Sequence, residues 1–356
     1  MTSAPTVVAR AEAPDLPVLR RPAVALAVAA LVLALTCCVA LAVGRFPVSV
    51  GQVLEILGAE ATGTAPAGEA SRDVVVLVRL PRILLAVLVG GGLAVSGAAL
   101  QAVFRNPLVS PQIIGVSSGA SFGGALAIVL GLGSAMLVGL AFAFGLVAIL
   151  VVYAVTRGSE GGAPMLMVVL AGVVTGSFFS ALVSLLTYLA DPYDQLPAIV
   201  FWLLGSLATA TFATVALASL PVLAGSLLLV LLRWRINVLS LGDDDAAAVG
   251  VRPAPARWTV LGAVALVVAG AVAVAGVVSW VGLVVPHIVR MWVGPDHRVL
   301  LPASFLVGGV FLLLVDTVAR TLTAGEIPLG VLTALIGAAV FFVLLRRNRQ
   351  RLWDSA

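Results

Sequence analysis

The stretch "FRNPLVSPQIIGVSSGASFGG" (104–124) follows one long apolar run and leads into another. Its 21 residues include two prolines, four serines and four glycines. In hydrocarbon, a broken backbone leaves N–H and C=O groups unpaired at several kcal/mol each, so it persists only inside protein or beside water. Asn106-Pro107 and Ser110-Pro111 stop one helix and delay the next. Gly115, Gly119, Gly123 and Gly124 then give the following span a smooth face, which another helix or a ligand can approach closely. Two readings stay open on spacing alone. One is a pore-lining re-entry, gated near Asn106 and Leu108 and walled by Ser117, Ser118 and Gly119. The other is a tight turn followed by a small-residue packing face.

The flanks set the class. The chain has 356 residues, of which 62% are hydrophobic and 10% charged, and its mean hydropathy is +1.19. A soluble domain is about half apolar and a quarter charged. Apolar runs recur at about 22–44, 79–104, 113–131, 135–156, 164–190, 211–232, 257–276, 278–293, 299–322 and 328–345. Most match the roughly 20 residues that a bilayer crossing needs. The pattern predicts an all-α polytopic membrane protein with ten transmembrane helices. The run at 278–293 is interrupted by Pro286, His287 and Arg290, which suits a short or half-crossing helix. The segment 197–208 is too short to span and reads as a helix on, or dipping into, the surface. Residues 1–21 read as a cytoplasmic tail, 22–346 as the membrane domain and 347–356 as a second tail. The loop at 45–78 has a flexible composition in "GAEATGTAPAGEASRD". No strong internal repeat is visible.

All 20 basic residues are arginine. A phosphate-binding P-loop requires lysine, so nucleotide hydrolysis would have to come from another chain. With ten spans both termini share one side. Placing them in the cytoplasm puts fifteen arginines inside and five outside: Arg45, Arg72, Arg79, Arg82 and Arg320. This satisfies the positive-inside rule. It also accounts for the pI of about 9.8 without nucleic acid. Cys37 and Cys38 are adjacent inside an apolar run and have no metal-ligand spacing.

Three further features bear on chemistry. "GVSSG" (115–119) fits the nucleophile-elbow pattern, but no strand precedes it. An intramembrane serine protease would need Ser117 or Ser118 beside His287 or His297, and Pro286 makes His287 a helix-end or gate residue. Asp316 and Arg320 are four apart on one helix and can pair. The segment "SLGDDDAAAVGV" (240–251) predicts a short helix with acid at its favourable N-terminal end. Gly242 and Gly250 bracket it. Facing the arginine-rich side, it reads either as a helix that docks into a partner or as a solvated loop with an ordinary N-cap. An ion-coupled secondary transporter would instead need a buried titratable acid.

Taken together, "RLPRILLAVLVGGGLAVSGAALQAVFRNPLVSPQIIGVSSGA" (79–120), "SLGDDDAAAVGV", "GLVVPHIVR" (282–290), "DHRVLLP" (296–302), "DTVAR" (316–320) and "EIPLGVLTALIGA" (326–338) resemble the FecCD-type permeases. These are membrane subunits of ABC importers for iron–siderophore complexes, haem and cobalamin. The resemblance implies the type II ABC importer permease fold in a bacterial inner or plasma membrane. It implies a second permease copy, a cytoplasmic ABC ATPase dimer that holds ATP and Mg, and an extracytoplasmic binding protein. No cofactor or metal is then expected on this chain. Arg79, Arg82 and Arg320 match positions that meet acidic residues of the binding protein. Asn106 and Leu108 match the cytoplasmic gate. Leu241, Gly242, Asp243, Asp244, Asp245, Ala246 and Gly250 match the ATPase-coupling segment, although the Asp triplet is more acidic than that family loop. Residues 191–208 correspond to the outer gate. A ferric siderophore is the first expectation for cargo.

Overall fold

A computed structural model describes residues 22–64, 68–157, 165–323 and 325–353. The tail expected at 1–21 lies outside them. The described residues are helical, with no strand among them. The membrane-class helices are α1 (Pro22–Ala42), α4 (Leu80–Val103), α5 (Val116–Val129), α6 (Ser134–Thr156), α7 (Met165–Leu189), α9 (Phe212–Leu231), α12 (Pro253–Ala275), α13 (Val281–Val293), α14 (His297–Thr321) and α15 (Leu329–Trp353). They coincide with the ten apolar runs. Seven are long and apolar enough to cross a membrane. Three are shorter in their apolar extent: α5, α13 and the 329–343 part of α15. At 1.5 Å per residue, α13 is only about 20 Å long, against a hydrocarbon core of roughly 30 Å. Ten full crossings are therefore more than length and composition support. α15 also runs through most of the segment expected to be a C-terminal tail.

The remaining helices are short: α2 (Val50–Thr62), α3 (Glu69–Asp73), α8 (Gln195–Leu203), α10 (Arg233–Leu241) and α11 (Asp243–Ala248). α2 corrects the expectation of a flexible 45–78 loop. Ser49 and Gln52 form a reciprocal capping box, Gln52 N donating to Ser49 Oγ at 3.3 Å and Ser49 N to Gln52 Oε1 at 2.9 Å. This satisfies two otherwise orphaned donors at the helix start. Val53, Ile56 and Ala59 form its buried stripe. Further on, residues 74–79 form a π-helical turn that runs directly into α4. α10 is a second short helix that the apolar pattern did not reveal.

α4 and α12 are the core, buried along most of their length. α1, α6, α7 and α9 carry long apolar faces that no other described residue covers. That inversion suits lipid, which is as apolar as a side chain, so contact between helices depends on close packing. α4 is gripped by α14 on one side and by α13 on another. At Gly90 an added Cβ would collide with the Gly308 carbonyl of α14, and at Gly97 with the Gly282 backbone of α13. Only hydrogen fits at these two crossings.

The opening stretch resolves into a left-handed Arg105 (φ 49°), a turn, a 3-10 helix over Pro111–Ile114 and a left-handed Gly115 (φ 79°). A second break, 276–280, separates α12 from α13 and holds Trp280 at φ 69°. Between α8 and α9, the irregular 204–206 segment is hydrogen-bonded to the end of α12 and the start of α15. Ser206 N donates to Ala275 O at 3.0 Å, and Leu329 N and Gly330 N donate to Gly205 O and Leu204 O at 2.9 Å each.

Candidate functional site

The fold gathers its polar side chains at two opposite ends of α14. At the C-terminal end, α4 and α14 bring Arg82 against two carboxylates. Its Nε donates to Asp316 Oδ1 and Oδ2 at 2.9 and 3.0 Å. Its Nη1 and Nη2 donate to Glu326 Oε1 and Oε2 at 2.8 and 2.9 Å. Arg320 stands 3.8 Å from Asp316, so Asp316 bonds chiefly to Arg82, with its i+4 neighbour second.

Arg79 and Arg320 turn to backbone. Arg79 Nη1 donates to Leu41 O and Ala42 O at 2.5 and 3.0 Å, and its Nη2 to Phe46 O at 2.5 Å. Arg320 Nη2 donates to Ala40 O at 2.6 Å. Two guanidiniums thus cap the last carbonyls of α1, where positive charge is favoured. Arg45 closes the cluster, donating to Arg320 O and Thr323 O at 3.1 and 3.0 Å.

The three arginines expected to meet the binding protein all lie in this cluster. Arg79, Arg82 and Arg320 are 3%, 6% and 8% exposed. Each is engaged inside the chain, because an isolated charge could not be buried without a partner. Asp316 is buried too. It is matched by Arg82 and is no lone acid of the kind an ion-coupled transporter would need. The cluster still holds four guanidiniums (Arg45, Arg79, Arg82, Arg320) against two carboxylates (Asp316, Glu326), a formal surplus of two positive charges.

At the N-terminal end of α14, Asp296 caps the helix by accepting from Arg298 N at 2.9 Å. Asn237 of α10 donates to Asp296 Oδ1 at 2.7 Å and accepts from His297 N at 2.9 Å. α10 is thereby fastened to α14 and carries α11 next to it. α11 is acidic and exposed along one side, with Gly242 and Ala246 buried beneath it. Asp243 pairs with Arg257. Leu241, 67% exposed, and the exposed Val249 flank it as apolar knobs.

The residues expected to line a path, Ser117, Ser118 and Gly119, lie on α5 against its neighbouring helices. A Cβ at Gly119 or Gly123 would run into the Phe144 or Leu140 carbonyl of α6, and one at Gly124 into the Trp202 ring. The glycine face therefore seats α6 and α8. Ser117 is buried, and Ser118 is half-buried facing Gly176 of α7. Asn106 and Leu108 are exposed on the turn, where Asn106 Oδ1 accepts from Leu108 N at 2.9 Å and holds the 57%-exposed Leu108 outward.

Sequence reasoning missed three polar contacts. Gln112 Nε2 donates to Ser279 Oγ at 2.9 Å, tying the two backbone breaks together. Arg290 Nη2 donates to Gln101 Oε1 at 2.9 Å. The Asn237 link is the third. In a chain so poor in amides, every Gln or Asn beside a helix break was a usable signal. Among the described residues no group of three or more His, Cys, Asp or Glu side chains could hold a metal.

The model of the FecCD transport family matches residues 32–347. The molybdate import permease MolB of Haemophilus influenzae is 46% identical over 90% of this chain and 94% of its own length. The cobalamin import permease BtuC of Halobacterium salinarum is 42% identical, covering 80% and 76%. The hemin transport permease HmuU of Yersinia pestis is 41% identical, covering 77% and 83%. Among solved structures, an inward-facing conformation of an ABC transporter assigned to the metal-chelate type is 43% identical. It superposes at a TM-score of 0.83 over 92% of this chain and 100% of that one. Fold, packing and likeness agree from the first membrane helix to the last: the chain belongs to the FecCD transport family and is a transport subunit of an ABC importer, not an enzyme.

Proposed function

We propose that this chain is one of two permease copies that together enclose the path of an ATP-driven importer. A binding protein loads cargo at the arginine-cluster end, and a pair of ATPases docks at the α10–α11 end. The observation that carries this reading is the full-length likeness to the inward-facing transporter, at a TM-score of 0.83 and 43% identity. The arginine distribution supports the orientation, with the α10–α11 end in the cytoplasm. The three shorter helices complete ten crossings where the bundle itself, in place of lipid, surrounds their broken ends. Exposed Leu108 and Asn106 suit a cytoplasmic gate formed against the second copy. Leu241, Val249 and the acidic face of α11 suit insertion into an ATPase cleft. The surplus positive charge of the arginine cluster suits an acidic face on the binding protein.

For cargo, a ferric siderophore is the first reading. A molybdate-type oxyanion is the second, favoured by the 46% identity with a molybdate permease. Reconstitution into proteoliposomes tests both. Uptake of labelled ferric siderophore should require this chain, its ATPase, its binding protein and ATP. Uptake by the chain alone would overturn the reading. Molybdate uptake without ferric-chelate uptake would select the second cargo.

A further inference from the structure

Arg82 has no free edge for an incoming acid. Nε and one face of Nη2 serve Asp316, the latter at 2.8 Å, and the outer Nη1/Nη2 fork is filled by both oxygens of Glu326. The two carboxylates hold different positions. The Asp316 side chain is 1% exposed on a rigid helix behind Arg82, whereas the Glu326 side chain is 26% exposed in the connection between α14 and α15. Asp316 is thus the permanent counter-ion, and Glu326 covers the fork from the solvent side. Arg79 and Arg320 offer no easier target, because their N–H groups hold the end of α1.

We infer that Glu326 is an intrachain stand-in for a carboxylate of the binding protein, and that docking exchanges one acid for the other at Arg82. The inference rests on the docking reading above. Exchange of like for like at a planar fork conserves the bidentate geometry, so it needs little net energy. It does need Glu326 to leave. Two residues further on, Pro328 opens α15, and Leu329 and Gly330 are hydrogen-bonded to the Leu204–Gly205 backbone. Displacing Glu326 therefore loosens the connection that sets the start of α15 against the 204–206 segment.

The test uses the whole complex in lipid nanodiscs, with the affinity of the cognate binding protein measured at several salt concentrations. Glu326→Gln keeps the shape and removes the charge. It should tighten docking about two- to fivefold, the range a partly exposed ion pair corresponds to. Glu326→Asp, which shortens the reach, should tighten it less. The double variant Arg82→Gln with Asp316→Asn removes the buried pair together and should weaken docking. Unchanged docking in the double variant would overturn the docking reading itself. Weakened docking there, with unchanged or weaker docking in both Glu326 variants, would overturn the exchange alone.

Discussion

The two ends of α14 are both rich in charge, yet they dispose of it in opposite ways. At the arginine-cluster end, cations and carboxylates are drawn from the segment after α1, the turn before α4, α4 itself, α14 and the α14–α15 connection, and most are buried against one another or against the end of α1. At the α10–α11 end, acidic side chains stand exposed on a short helix between apolar knobs, with Asp243 paired to Arg257 and Asn237 bonded to Asp296 and to His297 N. The first arrangement is a piece of architecture whose charges are already spoken for. The second is a surface with its contacts still to make. Charge in a sequence does not distinguish these, because what separates them is the presence or absence of an internal partner.

The contrast can be broken most decisively at α11. Deleting 243–249 should abolish ATP-coupled uptake while the chain still inserts and keeps its thermal stability, because α11 carries little of the core. A loss of stability comparable to a core mutation would show that this end is architecture as well. The next effect concerns the opposite end. Arg82→Ala leaves Asp316 buried without its guanidinium and should cost about 3–5 kcal/mol. Thermal unfolding in lipid would register this as a large drop, with Asp316→Asn restoring much of it. An unchanged midpoint would mean that the cluster is surface-like after all.

The smallest effect is a pH dependence. The hydrogen bonds from Arg82 hold the Glu326 carboxyl below the usual glutamate range. A depressed carboxyl adds stability that is fully present above its ordinary pKa of about 4.3 and lost as acid protonates it in the folded state. Stability should therefore be flat through neutral pH and fall only below about pH 4, with Glu326→Gln reducing that fall. A stability loss already evident at pH 6 would assign the dependence to other groups.

Helix positions were largely legible in the sequence, because most apolar runs are continuous and most end at or beside Pro, Gly or Arg. The short surface helices were less so. α2 is fixed by a capping box and three apolar residues, too few to stand out in a chain this hydrophobic. α10 hides directly behind the end of α9. The fate of the arginines was not legible at all. Asp316 and Glu326 lie 234 and 244 residues from Arg82, and no local pattern announces that the fold will bring them together. The glycine stripe of α5 fitted either a helix or a ligand, and the carbonyls of α6 took the space. The amide contacts of Gln101, Gln112 and Asn237 were visible as rare polar residues beside breaks, but not as pairs.

The crossing of Gly97 with Gly282 has a mechanical consequence. With two main chains in direct touch, any slippage of α13 along α4 would drive the side chain of Leu93 or Gln101, one turn away on the same face, into a space sized for a hydrogen atom. The two helices must therefore travel as a single lever. Whatever bending accompanies alternating access falls at the proline-broken turn beyond Phe104 and at the gap before Val281.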